Sequence, residues 1–193
     1  MRRSICLVPA LLASLALPAH ASWYLDNESS RLSFVTTKNI ETAEVHRFLI
    51  LHGKVDAKGV VQLQVDMDSV SSGIPKRDEQ MRRDLFEVAR YPQATVSAKL
   101  DLGPINDLAN GAQLEMRLPL RVALHGHEHG YNAQLLATRL DERRFQVVTL
   151  EPLVVRAEDF GLIPGIATLR QSAGLTSISL SVPVGAVLIF TAR

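Results

Sequence analysis

Apolar and polar residues alternate along most of the chain. The longest run is Leu114, Met116, Leu118, Leu120, Val122 and Leu124 set against Gln113, Glu115, Arg117, Pro119, Arg121 and Ala123. A repeat of two puts each set on its own face of an extended strand, and six consecutive alternations exclude a helix. Shorter runs repeat the pattern. Leu32, Phe34 and Thr36 alternate with Ser33, Val35 and Thr37, and Val61, Leu63, Val65 and Met67 oppose Gln62, Gln64, Asp66 and Asp68. Val96, Ala98 and Leu100 behave in the same way, and Val45–Val55, Tyr131–Leu140 and Phe145–Val155 read as extended. A final strand takes in Ile178, Leu180, Val182, Val184 and onward to Phe190. Turns are marked by Asp56–Gly59, Gly103-Pro104, Asn106-Asp107, Asn110-Gly111 and Asp141–Arg143, and Trp23–Ser30 reads as a polar lead-in. Pro119 lies on the outward register and removes one ladder donor, so this strand should meet an edge or a bulge there.

The period changes once. Between Ser69 and Pro92, Met81, Leu85 and Val88 recur at helical spacing among Arg77, Asp78, Glu79, Arg82, Arg83, Asp84 and Glu87. With Gly73 and Pro75 as breakers before it and Pro92 after, the spacing predicts an amphipathic helix over about 76–90. A second, short helix is predicted over about 164–173, with Pro164 near its start and Gly174 beyond its end. About eight strands, each with one apolar face, must bury those faces either in a sandwich or in a sheet closed on itself, and long regular strands favour closure. The fold expected is all-β, an antiparallel eight-stranded barrel with one amphipathic helix capping it.

The inward-facing set is aliphatic, and aromatic residues make up only 5% of the chain. Such walls either enclose a cavity or pack into a solid core. Phe34, Phe48, Leu63, Val65, Leu118, Leu120, Val122, Phe145, Leu180 and Val182 are the candidate wall. Met81, with Leu85 and Phe86, would seal the barrel mouth or form a lid over it.

The N-terminus changes the compartment. Arg2 and Arg3, an apolar run from Ile5 to Leu17 and then Ala19-His20-Ala21 follow the order of a secretory leader, with cleavage expected after Ala21. The run is about 13 residues, short of the roughly 20 needed to cross hydrocarbon. Removing 21 of the 193 residues would leave a single barrel domain over 22–193, near-neutral at about −1. The one cysteine, Cys6, goes with the leader, which excludes disulfides and thiol chemistry. A near-neutral surface without runs of like charge excludes nucleic acid as a partner.

Ser69, Ser72, Gly73, Arg77, Asp78, Met81, Phe86, Val88, Tyr91 and Pro92 together resemble the signature of the YceI-like family of exported bacterial proteins. Tyr24-Leu25-Asp26 with Ser30 and Phe34, Leu124-His125-Gly126, and Arg156 with Asp159-Phe160-Gly161 extend the resemblance over nearly all of the chain after the leader. It implies a lipocalin-like barrel that encloses an isoprenoid or other lipid-like chain, with no catalytic residues. Ser72 stands in place of threonine, Gln80 stands where the family commonly has histidine, and the spacer before Phe86 is one residue short.

His125, His127 and His129 alternate and could converge on a metal if they shared a face. The register that turns Leu124 inward turns all three outward instead, so they are expected as solvent-facing hairpin residues. No G-x-S-x-G elbow or thiol supports a nucleophile, and the Arg77-Asp78 pair is expected to open the helix. The function expected is a periplasmic carrier for an apolar, isoprenoid-type molecule, without enzymatic activity or cofactor. Its partners are that small molecule and a membrane-protein donor or acceptor, and it would act as monomer or homodimer. The alternative is a ligand-free exported domain that contacts a membrane redox or envelope-stress component.

Overall fold

A computed structural model describes residues 22–193, and the leader expected at residues 1–21 lies outside the described residues. Twelve strand segments run in order as β1 (Trp23–Leu25), β2 (Arg31–Lys38), β3 (Thr42–Phe48), β4 (Leu51–Val55), β5 (Val60–Asp66) and β6 (Val70–Ser71). They continue as β7 (Gln93–Lys99), β8 (Gln113–Leu124), β9 (His127–Arg139), β10 (Arg144–Thr149), β11 (Leu153–Arg156) and β12 (Ser181–Ala192). Four pairs are halves of single bent strands: β1 with β2, β3 with β4, β5 with β6, and β10 with β11. Eight antiparallel strands result, and the sheet closes where β1 joins β12 (Trp23 opposite Ala192) on one side and β4 (Trp23 opposite Val55) on the other. Closure leaves no long unpaired edge.

The bends are held by side chains that satisfy the backbone groups a bend frees. Asn27 Oδ1 accepts from Leu51 N at 2.7 Å while its Nδ2 donates to Leu49 O at 3.3 Å. Ser69 Oγ accepts from Leu49 N and Ile50 N at 3.1 and 3.0 Å.

Three helices follow from local sequence. α1 (Pro75–Gln80) begins with proline at its first position, where the missing N–H costs nothing. It loosens into a π-helical turn, Met81–Leu85, closed by Phe86 N–H donating to Met81 O at 2.9 Å. Glu87 then takes a φ of 48°, so the helix stops at Leu85 instead of continuing to about 90. α2 (Gly103–Asn106) occupies what reads in sequence as turns, and its Ile105 is buried. α3 (Ile163–Ser172) matches the second helix expected, and it lies against the π turn at Gly165.

The packed core sits beneath this cap. Phe34, Leu51, Val65, Val70 and Val122 from the strands, with Met67 from the turn after β5, meet Met81, Leu85, Phe86, Phe160, Leu162 and Ile166 from the helical segments. Trp23–Leu25, taken as lead-in, is the strand that closes the barrel, with the Trp23 ring stacked on Phe145 at 4.4 Å. β7 pairs with β8 only from Leu120 to Ala123, so that side of the ladder ends beside Pro119, as its missing donor requires.

Candidate ligand-binding interior

Register decides which side chains face the barrel axis. Leu120 lies opposite Ala98 on β7 and Tyr131 on β9, Val122 opposite Val96 and His129, and Leu118 opposite Ala133. Across the barrel, Val184 lies opposite Phe34, which lies opposite His46, and Leu32 lies opposite Phe48. Several inward positions are small, among them Gly53, Ala98, Ala133, Ala137 and Ala186. At Gly53 even a Cβ would stand 3.1 Å from Leu25 Cβ, so the wall there is tight.

Around the rest of the axis, inward side chains keep accessible surface. Leu32, Phe48, Val96, Leu118, Leu120 and Val184 are half-buried although they face inward. A filled barrel would bury them as fully as Phe160 or Leu51, which are 0% and 1% exposed. The interior is therefore packed most tightly under the cap, and its side chains keep more accessible surface along β8 and β12. Where β7 and β8 part, a cleft runs between Ser97–Lys99, Pro119–Arg121 and Gly130–Asn132.

The expected wall residues separate into three groups. Phe48, Leu118, Leu120 and Val182 are half-buried. Phe34, Leu63, Val65, Met81, Val122 and Phe145 are buried, most of them in the packed region. Leu180 is 39% exposed and lies outside the sheet, because Ser179 Oγ accepts from Ser181 N at 3.2 Å and bends the chain before β12 begins. It lines nothing.

The histidines differ from expectation for a physical reason. His125 and Gly126 form the β8–β9 turn, both at positive φ (51° and 77°), and the two-residue turn places His127 opposite Leu124 and His129 opposite Val122. His127 and His129 thus share the inward register. His125 packs against Tyr91 at 4.4 Å, with its Nε2 3.1 Å from Glu87 Oε1 and its Nδ1 3.3 Å from Phe160 O. His129 Nε2 stands 3.6 Å from Asp159 Oδ2, and exposed His127 lies beside Gly161. The three rings thus take different neighbours, and among the described residues no three His, Cys, Asp or Glu side chains are grouped to hold a metal.

Two polar clusters sit on the inward face. Tyr131, on the inward face of β9, donates to Asp159 Oδ2 at 3.2 Å, and Arg156 clamps the same carboxylate at 3.3 and 3.0 Å. Burial first, and then this bond, push the Tyr131 phenol up to about 12. The Arg156 guanidinium holds Asp159 below the usual carboxylate range. The second cluster lies under α1. Buried Asp78 accepts from Ser72 N at 2.7 Å and from Ser72 Oγ, Arg77 donates to Ser72 Oγ, Ser72 O and Glu44 Oε2 at 2.8, 2.9 and 2.6 Å, and Lys38 reaches Glu44 Oε1 at 2.7 Å. The Arg77-Asp78 pair therefore opens the helix by tying it to the strands through Ser72 and Glu44. Beside it, His46 Nε2 meets Thr36 Oγ1 at 2.8 Å. His46 is not among the residues that alternation marks as a site. Its signal was Glu44, His46 and Phe48 on alternate positions, two polar residues on an apolar register.

The sequence model of the YceI-like domain matches residues 23–188. A solved polyisoprenoid binding domain from Saccharophagus degradans, implicated in plant cell wall breakdown, is 38% identical, with a TM-score of 0.88 over 90% of this chain and 99% of its own. Burkholderia cenocepacia BcnA (14% identity, TM-score 0.64, 86% of this chain and 98% of its own) shares the fold. So does the YCEI protein of Campylobacter jejuni (13% identity, TM-score 0.53, 77% and 84%). A search of curated proteins finds no match. With the family signature spanning nearly every described residue and a close structural relative sharing more than a third of its residues, the chain belongs to the YceI-like family.

Proposed function

We propose that this protein carries an apolar, isoprenoid-type lipid in the hollow of its barrel and releases it unchanged. The observation that carries the reading is the set of half-buried aliphatic side chains facing the axis, Leu118, Leu120 and Val184 among them. Contact with such walls stabilises a bound chain by roughly 0.8 kcal/mol per methylene buried, with no covalent step. The similarity to a polyisoprenoid binding domain supports the same ligand class. In this reading the barrel is a single domain that works in the periplasm after cleavage behind Ala21. It exchanges its lipid with a membrane-protein donor or acceptor, as monomer or homodimer. Among the described residues no helix is long and apolar enough to cross a membrane.

Mass spectrometry of an organic extract of the purified protein tests the proposal. A polyprenoid near one per chain supports the carrier. A protein that yields none and takes up no added polyprenol is instead a contact domain for another envelope protein.

A further inference from the structure

We propose that the ligand is anchored by one uncharged oxygen, a hydroxyl or a carbonyl, hydrogen-bonded to Nδ1 of His46 beneath the helical cap. This rests on the carrier reading and adds to it the class of head group and the direction in which the ligand lies. His46 is on the inward face of β3, 3% exposed, between Glu44 and Phe48, with the Phe34 ring 5.2 Å away. Its Nε2 is engaged by Thr36. Its Nδ1 is the buried side-chain nitrogen or oxygen that has no hydrogen-bond partner among the described residues. A buried polar atom without a partner costs about 1–3 kcal/mol, and proteins keep such atoms where something supplies the missing bond.

The surroundings set the chemistry of that partner. Lys38 and Arg77 are both spent on Glu44, and Arg77 and Asp78 are bound through Ser72, so two cations and two carboxylates cancel. No cation of this cluster remains for a phosphate. Burial, and then the charge of Arg77, push the His46 imidazole below its ordinary value, so the ring is neutral at pH 7 with one N–H and one acceptor nitrogen. The Thr36 hydroxyl serves either tautomer. A hydroxyl head group satisfies Nδ1 in both tautomers, and a carbonyl does so when Nδ1 carries the hydrogen. Phe48, the next inward residue of β3, and Leu32 and Val184 nearby are half-buried, so the hollow comes within one side chain of the imidazole. The head would lie under α1 and the apolar chain would run from there along β12 toward Leu120.

The test compares three probes of equal chain length, solanesol, solanesyl diphosphate and the corresponding hydrocarbon, on the wild-type protein and on His46→Leu. The expected result is that wild type binds the alcohol about tenfold more tightly than the hydrocarbon, the weight of one hydrogen bond. The diphosphate binds more weakly than the alcohol, and His46→Leu erases the alcohol's advantage while keeping hydrocarbon affinity. Equal binding of alcohol and hydrocarbon by wild type, tighter binding of the diphosphate, or proportional losses in the variant each overturn the anchor and leave the carrier standing. Binding of none of the three overturns the carrier itself. Should His46→Leu fail to fold, the 15N shift of wild-type Nδ1 decides: movement with the alcohol and not with the hydrocarbon supports the anchor, and any other pattern overturns it.

Discussion

Gly165→Ala examines the joint that holds the cap together. At Gly165 a Cβ would stand 2.6 Å from Asp84 O, 2.8 Å from Leu85 Cα and 3.2 Å from Leu85 Cδ1. Two of these atoms are backbone, so no rotamer change relieves the clash, and α3 must lift from the π turn by roughly 1 Å to restore ordinary contact. Overpacking of this kind costs about 1–3 kcal/mol, and alanine returns up to about 1 kcal/mol through its helix preference. The net loss is about 1–2 kcal/mol, which for a protein of this length lowers Tm by about 3–6 °C. Thermal unfolding followed by circular dichroism measures it. Gly103→Ala is the control, because its Cβ meets only Asp101 Oδ1 at 3.4 Å, and it should leave Tm unchanged or slightly higher. A Gly165→Ala protein that melts at or above wild type would refute the close crossing and the view of α3 as a clamp on the cap.

Leu120→Trp puts an indole into the hollow opposite Ala98 and Tyr131 and should weaken polyprenol uptake by about tenfold or more, since each displaced methylene contact is worth roughly 0.8 kcal/mol. Unchanged uptake would show that Leu120 does not face the axis. The His46 pKa is depressed in the fold, so below the ordinary value of 6.5 the unfolded chain binds the extra proton and stability falls with falling pH, by at most about 1.4 kcal/mol per pH unit. Tm recorded between pH 7 and 5 should decline in wild type and decline less in His46→Gln. Parallel curves for the two proteins would mean that His46, facing Arg77, Glu44, Asp78 and Lys38, does not govern that window. In Asp159→Asn the charged acceptor is lost while burial persists, so ultraviolet titration should find Tyr131 ionising lower than about 12 but still above the ordinary 10. An unmoved titration would rule out the contact with Asp159.

Much of the fold was legible because strand alternation is a direct image of burial. The run from Leu114 to Leu124 could only be a strand, and its inward set is the one the sequence indicates. What escaped depended on single backbone torsions or on distant pairing. The two positive-φ residues at His125 and Gly126 reset the register of everything after them, which alternation counted straight through the turn could not show. Glu87 at positive φ ended a helix whose apolar spacing continues to Val88. Leu180 fits the alternation of the last strand, yet a serine hydroxyl one residue before it bends the chain aside. Trp23–Leu25 has no strand signature of its own and is extended because β4 and β12 flank it. The wall was half legible: its small aliphatic residues were visible, while the division into a packed end and a more accessible one needed three dimensions.

The seam of the barrel binds Trp23–Leu25 to Phe190–Ala192, with Arg193 N–H donating to Ser22 O at 3.0 Å, so residues from opposite ends of the described chain finish one another's ladder. Until both arrive, every other strand can pair while the sheet stays an unclosed ribbon with two sticky margins and a greasy inner surface turned to water. Assembly is thereby weighted toward a single late event of high contact order.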